Sequence, residues 1–590
     1  MYVLGLSCFF HDSSAALLRD GVIVAASEEE RFSRKKHDQA FPMQSIEFCL
    51  SFAGITLDQV DAVVFYDKPL LKFDRLLETY FSRAPFGLKS FLKAMPIWLK
   101  EKIYFKKLIR DSLKKISKIT PSLYFSEHHL SHAASAFYAS PYDEAAVLCI
   151  DGVGEWATTS GWIGKGSDLK PLFEIHFPHS LGLFYSAFTG YLGFQVNSGE
   201  YKMMGLAPYG KPIYIDLIIN NLIHFNNDGS FQLNLDYFDF TKDSEMITDK
   251  FIELFKNPRR SNEDIAEFTQ FHKDLAASVQ AVTEIAVLKL ARQIKLLTGL
   301  DNLTMAGGVA LNCVANGKLK ESGIFKNIWI QPASGDSGGA LGAALAYYFL
   351  EKKSSRVIDP NFQQGSLLGP SFKSEHIKLL LDHAGVVYHE TISEEVLNEL
   401  ISEEIIKGSV IGLFQGRMEF GPRALGSRSI IGDPRFSNMQ SIMNLKIKKR
   451  ESFRPFAPAI LKEFVSDYFY WEKSTASPYM LFTTQVKNTL PLPAITHVDG
   501  SARLQVVDEN IHPRFHRLIK TFYKKSGCPV IINTSFNVRG EPIVARPLEA
   551  INCFMTTEMD VLVLENFLLK KTEQKSELFN IDWVSAYARD

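Results

Sequence analysis

Residues 412–429 read G-L-F-Q-G-R-M-E-F-G-P-R-A-L-G-S-R-S, which places Arg417, Arg423 and Arg428 among glycines and small residues after the apolar run 410–414. A guanidinium offers a planar fork of donors that fits phosphate oxygens two at a time, and bare glycine N–H groups can approach the same oxygens. Over 412–436 four arginines face only two acids, Glu419 and Asp433, so the excess charge calls for an anion from outside. A surface loop would pair its arginines locally. A second cluster has different chemistry. In E-H-H-L-S-H (127–132), His128 and His132 are four apart and share one face of a helix. With Asp151 at the end of a strand and Asp336 opening a glycine turn, they would form a mixed nitrogen and oxygen site suited to iron, manganese or zinc. The alternative is a pair of histidines that cap helices or bond to backbone. A zinc-protease helix would carry glutamate after its first histidine, and His129 stands there instead.

Further cations and amides follow the first arginine stretch. Arg450 and Arg454 lie in K-I-K-K-R-E-S-F-R-P-F, Arg503 stands alone, and Asn533 and Arg539 flank I-I-N-T-S-F-N-V-R-G-E-P. Such a set suits a polyphosphate or two separate phosphate groups. Glycine turns after short apolar runs occur at Gly152 and Gly154, at Gly307 and Gly308 with Asn312, and at Gly338. Turns of that kind present N–H groups at a positive helix end and hold phosphate or ribose.

The elements that must position these groups read as α/β. Residues 3–6, 15–18 and 22–26 are short apolar strands, with Asp20-Gly21 as a hairpin turn and a polar turn holding His11 and Asp12 before it. A dense charge run, 28–37, follows a core strand and makes Lys36 and His37 candidates for the mouth of a site. The plan of strand, polar turn and strand recurs at 145–163, which suggests a duplicated α/β fold with ligands at the strand ends. Residues 264–298 lack proline and glycine and predict one long or two consecutive helices. The stretch 199–210, with Glu200 and Lys202, predicts a loop that closes a cleft or lines an acceptor channel. Residues 352–372, polar and rich in proline, serine and glycine, predict a linker.

The whole chain sets limits on the partners. With 590 residues, 46% of them hydrophobic, it exceeds the size at which a single core stops growing, so two or more domains are expected. A net charge of −1 provides no global field for nucleic acid or an anionic membrane. The six scattered cysteines read as reduced core thiols of a cytoplasmic protein. Neither a leader segment nor a window of about 18 apolar residues is seen. Residues 89–118 hold ten Lys and Arg among Phe, Ile, Leu and Trp98, which reads as a solvated helix face or a weak peripheral membrane contact.

Four segments carry a family resemblance: G-L at 5–6 with H-D-S-S-A at 11–15, H-H-L-S-H-A at 128–133, G-E-Y-K-M-M-G-L-A-P at 199–208, and Q-G-R at 415–417 running to Arg428. Over essentially its whole length the chain resembles the O-carbamoyltransferases of the NodU and CmcH type. The resemblance implies an N-terminal two-lobed domain (1–352) similar to the actin and sugar-kinase (ASKHA) superfamily, in its threonylcarbamoyl-transfer version. A linker (353–372) and a YrdC-like C-terminal domain (373–590) follow. It implies that the second domain forms carbamoyl adenylate from carbamoyl phosphate and ATP, and that the first passes the carbamoyl group to a hydroxyl acceptor; Mg2+ is a further candidate cofactor beside the co-substrates. The family's metal residues fall on His128, His132, Asp151 and Asp336, and the metal in relatives is iron.

On this reading Arg417, Arg423, Arg428, Arg450, Arg454, Arg503 and Arg539 neutralise phosphate charge without adding a nucleophile, and Asn533 orients the carbamoyl amide. Lys36 reaches in as a further cation. The nucleotide sits against the glycine turns, and His11 or Asp12 is the base near the acceptor hydroxyl. Expected partners are a small-molecule hydroxyl acceptor and no nucleic acid, for a monomer or homodimer. The alternatives are a tRNA- or protein-modifying (threonyl)carbamoyl-transfer enzyme and an inactive nucleotide-binding regulator. A neutral charge balance speaks against tRNA, missing zinc-finger cysteine pairs against the hydrogenase-maturation relative, and the intact metal and arginine positions against lost chemistry.

Overall fold

The computed structural model describes residues 1–81, 105–240, 246–261, 267–448 and 454–580. The chain forms two compact units, one of Met1–Glu29 with Gln39–Phe362 and one of Glu30–Asp38 with Gln363–Asp590. Both mix α and β structure.

The first unit holds two five-stranded sheets. In one, β1 (Tyr2–Ser7), β2 (Ser14–Arg19) and β3 (Val22–Glu28) form an antiparallel meander, and β4 (Ala62–Phe65) and β5 (Ser122–Phe125) add parallel to β1 in the order β3-β2-β1-β4-β5. Asp20 and Gly21 between β2 and β3 both have positive φ, 50° and 79°, as a type I′ hairpin turn requires. The other sheet uses β6 (Glu144–Ile150), β7 (Ala157–Lys165) and β8 (Asp168–His176). A small hairpin of β9 (Ile223–Phe225) and β10 (Phe231–Leu233) stands apart. β11 (Asn302–Ala306) and β12 (Asn327–Ile330) then complete the order β12-β11-β6-β7-β8. Here β6, β7 and β8 are antiparallel and β11 and β12 run parallel to β6. The two sheets share one strand order and sense, so the repeat suggested by the strand and turn pattern is a structural duplication.

Each sheet ends in a central helix. The helix His128–Ala139 follows β5 yet packs on β6 and β11 of the other sheet; Asp336–Ala346 follows β12 and packs on β1 and β2. The two helices cross so closely that a Cβ on Gly342 would lie 1.7 Å from the Ser131 carbonyl oxygen. Both helices are alanine-rich and buried along nearly their whole length, and small side chains are what permit that approach. The strands β1 and β6 are apolar runs because both faces are covered.

Between β8 and β11 lies a helical insert that includes Leu181–Tyr191, Asp249–Phe255 and Gln270–Thr298. Phe184, Phe188, Phe238 and Phe251 pack edge-on in its core. The long apolar pattern is therefore a single helix among the described residues. One expectation is corrected: the stretch read as a loop is a helix at Glu200–Leu206, continued by a 3-10 turn at Ala207–Tyr209. The Glu200 carboxylate accepts the N–H groups of Asn197 (3.0 Å) and Gly199 (3.1 Å), which closes the helix start, and Pro208 falls in the first turn of the 3-10 segment, where its missing N–H costs nothing.

The second unit is built on a nine-stranded mixed sheet. Its strands are β13 (His389–Glu390), β14 (Ile411–Phe414), β15 (Arg428–Gly432), β16 (Ala457–Leu461), β17 (Phe482–Gln485), β18 (Ser501–Val507), β19 (Val530–Ser535), β20 (Val561–Leu564) and β21 (Phe567–Lys570). They lie in the order β13-β21-β20-β14-β15-β19-β16-β18-β17. The arginine stretch is the connection between the antiparallel pair β14 and β15.

Of residues 89–118, only 105–118 are described. There the helix Phe105–Leu113 buries Phe105, Ile109 and Leu113, with Phe105 against Phe9 and Phe65. No helix of the described residues is long and apolar enough to cross a membrane.

Candidate metal centre and anion loop

The centre of the first unit gathers residues from the C-terminal ends of its parallel strands. Asp151 follows β6, His128 opens the helix after β5, and Asp336 opens the helix after β12. One turn of helix brings His132 onto the face of His128, so that their Nε2 atoms lie 3.1 Å apart. Asp151 Oδ2 is 3.2 Å from His128 Nε2 and 3.9 Å from His132 Nε2; Asp336 Oδ1 is 3.6 Å from both. All four ligand atoms fall within 4.8 Å of one another in a buried setting.

The donor set fits a divalent cation. Two carboxylates and two neutral imidazoles carry a charge of −2, and each offers a ligand atom to the same small space. With only protons to balance it, burial works to lower His128, but Asp336 and Asp151 outweigh burial and push it up to about 9. Asp151 is driven well below the usual carboxylate range by the imidazoles in spite of its burial.

Supporting contacts fix the carboxylates. Gly308 N–H donates to Asp151 Oδ1 at 2.8 Å, and the Tyr66 hydroxyl donates to Asp336 Oδ2 at 3.2 Å. Such partners orient ligands and set their basicity. His129 takes the other path open to a histidine in this stretch: it faces away and bonds through Nδ1 to Ser160 Oγ at 2.7 Å.

The remaining candidates of this unit lie around the cluster in different ways. His11 and Asp12 occupy the turn between β1 and β2, with His11 Nδ1 3.8 Å from Asp12 Oδ2. Burial would lower His11, and the neighbouring Asp12 carboxylate together with the field of Asp336 and Asp151 raises it to about 9. Gly154 lies against the His128 ring, where a Cβ would come within 2.9 Å of Cδ2. Gly152 carries a carbonyl that accepts the Ser180 hydroxyl at 2.6 Å. Gly307 lies under Ile150, and Gly338 under Ala333. Asn312 caps the helix Cys313–Glu321 through Ala315 N–H and exchanges two bonds with Gln280. Glu200 accepts the Ser186 hydroxyl at 2.8 Å, and Lys202 Nζ lies 6.0 Å over the Phe194 ring. Lys36 is exposed on the segment Glu30–Asp38, which belongs to the second unit. Tyr66, Asp67 and Glu155 were missed from sequence; the available signal was their position at strand ends beside the chosen residues.

In the second unit, residues 415–427 are anchored at almost every turn. The Glu419 carboxylate accepts the N–H groups of Leu425, Ser427 and Arg428 at 2.7, 2.8 and 3.2 Å. Arg428, 0% exposed, donates to the carbonyls of Gln415, Gly416, Ser427 and Pro370 and stacks on the Phe414 ring at 3.6 Å. Arg417 donates to the carbonyls of Gly369 and Leu368. Arg31 donates to Gly421 O, Gln505 to Leu425 O and Asn533 to Ala424 O. Arg423, Arg503 and Asn533 thus belong to one neighbourhood: Asn533 Nδ2 also meets Gln505 Oε1 at 2.8 Å, and Arg503 stands two residues before Gln505 on β18. Asn533 Oδ1 is buried with no hydrogen-bond partner among the described residues. Arg454 accepts Asn444 Nδ2 on its carbonyl at 2.8 Å, and Arg539, exposed, places its N–H on Lys448 O. Arg450 lies outside the described residues.

A buried cluster of two imidazoles and two carboxylates at strand ends, and an arginine-bearing loop held by backbone and carboxylate contacts on a separate sheet, are the two candidate sites of an enzyme. Residues 2–345 match the family model described as carbamoyltransferase N-terminus and residues 402–571 the one described as carbamoyltransferase C-terminus. The chain belongs to the carbamoyltransferase family, and its activity is carbamoyl transfer. It is 54% identical to an uncharacterised protein of Synechocystis sp. over the full length of both. It is 37% identical to nodulation protein NolNO of Sinorhizobium fredii, covering 98% of this chain and 80% of that one. Among solved structures, full-length HypF in its phosphate- and nucleotide-bound form aligns at 14% identity and a TM-score of 0.30, over 59% of this chain and 56% of that one, too slight a likeness to carry an argument.

Proposed function

We propose that the protein is an ATP-dependent O-carbamoyltransferase with divided labour. The second unit, of YrdC-like type, binds carbamoyl phosphate and ATP and forms carbamoyl adenylate, with one water consumed and phosphate and pyrophosphate released. The first unit, a duplicated domain of the actin and sugar-kinase type, transfers the carbamoyl group to a hydroxyl of a small-molecule or sugar acceptor, and AMP leaves.

The observation that carries this reading is the buried cluster of His128, His132, Asp151 and Asp336. A divalent ion held there, iron(II) by preference, supplies positive charge against phosphate and carbonyl oxygens. The chain's own groups do the rest. Asp12 orients His11, which handles the acceptor's proton; the glycine turns at Gly152 and Gly308, which carry no side chain, leave room for phosphate or ribose; Glu200 and Lys202 border the acceptor's path. In the second unit Arg423 and Arg503 neutralise phosphate charge while Arg417 and Arg428 hold the loop, and Asn533 Oδ1 receives the carbamoyl N–H. Arg450, Arg454, Arg539 and Lys36 are further cations of the same chemistry. The enzyme is cytoplasmic, acts without nucleic acid, and works as a monomer or homodimer.

The test is incubation of the pure protein with carbamoyl phosphate and Mg·ATP, with and without iron(II), while pyrophosphate is measured. Release that depends on carbamoyl phosphate supports the reading. ATP binding without release would leave a nucleotide-binding regulator, and carbamoylation of tRNA or protein in place of a small hydroxyl compound would point to a modifying enzyme.

A further inference from the structure

The turn that carries Asp151 holds His128 in three ways. Asp151 Oδ2 meets its Nε2 at 3.2 Å, Gly154 backs its ring, and Glu155 takes its main chain. Glu155, 6% exposed, accepts His128 N–H on Oε1 at 2.9 Å and on Oε2 at 3.1 Å. The same Oε1 accepts Lys68 N–H at 2.8 Å, at the start of the helix Pro69–Phe81.

One carboxylate therefore closes the N-termini of two helices, one of which carries both imidazoles. Open helix starts leave orphan donors and a positive dipole end, and both favour a carboxylate. The turn is itself fixed, since the buried Arg75 donates to the Gly154 carbonyl and Lys72 holds Asp67 at 2.9 Å beside it.

We infer that Glu155 is a positioning residue for the metal centre: through the His128 main chain it sets the imidazole pair against Asp151 and Asp336. This rests on the reading of those four residues as a metal site. Glutamate is required only as an acceptor, because Oε1 already receives both N–H groups. A glutamine keeps that oxygen and offers its amide to Asp67, the carboxylate that the Glu155 side chain already meets.

The test uses the full-length protein stripped by chelator and titrated with Co(II), read by absorbance, beside thermal melts of the metal-free forms. Glu155→Ala is expected to bind Co(II) about 10- to 100-fold more weakly, and Glu155→Gln within about 3-fold of wild type. Should the alanine variant not fold, Glu155→Asp, which withdraws the carboxylate by one methylene, is expected to show the loss. Wild-type affinity in Glu155→Ala or in a folded Glu155→Asp overturns the inference, as does a drop in metal-free melting temperature with affinity unchanged. Failure of the wild-type protein to take up Co(II) overturns the metal reading itself, a result distinct from either.

Discussion

His128 Nε2 and His132 Nε2 face each other at 3.1 Å, a separation that two neutral imidazoles tolerate only if one donates to the other. With carboxylates on both sides, a shared cation relieves the crowding better than a proton. His132→Ala is expected to lower divalent-ion affinity more than about 100-fold and to abolish transfer from supplied carbamoyl adenylate. Pyrophosphate release from carbamoyl phosphate and ATP should persist. Chelation of the wild-type enzyme should reproduce the same split, and loss of both steps together would contradict the division of labour.

Arg423 and Arg428 are five residues apart and do different work. Arg423→Ala is expected to cost about 100- to 1000-fold in pyrophosphate release and to spare transfer from supplied adenylate. Arg428→Lys should act first on folding. An ammonium has three donors and no planar fork, so it leaves carbonyls of the loop unmet in a site with no solvent. Urea unfolding should show a loss of about 2–4 kcal/mol.

Much of this was legible in the sequence, and the reasons are local. The spacing of His128 and His132 translates directly into one helix face, and Asp151 and Asp336 declare themselves by following apolar runs into glycine turns. The repeated strand and turn pattern anticipated the duplicated sheets. The burial of Arg428 was not legible, because spacing records that arginines share a loop and not which of them lies beneath it. Glu155 and Tyr66 were hidden for a similar reason: their partners are a main-chain N–H and a carboxylate at 27 and 270 residues' distance along the chain.

Gly342 marks where the two central helices touch, over Ser131, between the two metal-facing histidines. A methyl group there would stand 1.7 Å from a backbone oxygen that cannot rotate away. Gly342→Ala should therefore push the helices apart, at a cost of about 1–3 kcal/mol or more. It should also weaken Co(II) binding about tenfold or more, since Asp336 moves relative to the imidazoles. Gly54→Ala, at a helix end where a Cβ meets nothing within 4 Å, serves as a control: its positive φ lowers stability, while Co(II) affinity should not change.

His497 in the second unit provides a pH test that is independent of the metal centre. Burial, reinforced by Arg503 and opposed by Asp499, lowers it to about 4. A histidine depressed in the folded state is neutral there, so its contribution is complete above the unfolded value near 6.5. It is lost as pH falls toward 4, because the unfolded chain takes up the proton first. The difference in unfolding free energy between wild type and His497→Asn should therefore shrink by about 2–3 kcal/mol between pH 7 and pH 4. Other acid-sensitive groups cancel in that difference. A difference that stays flat across the range would mean that His497 accepts its proton as readily in the folded protein as in the unfolded one.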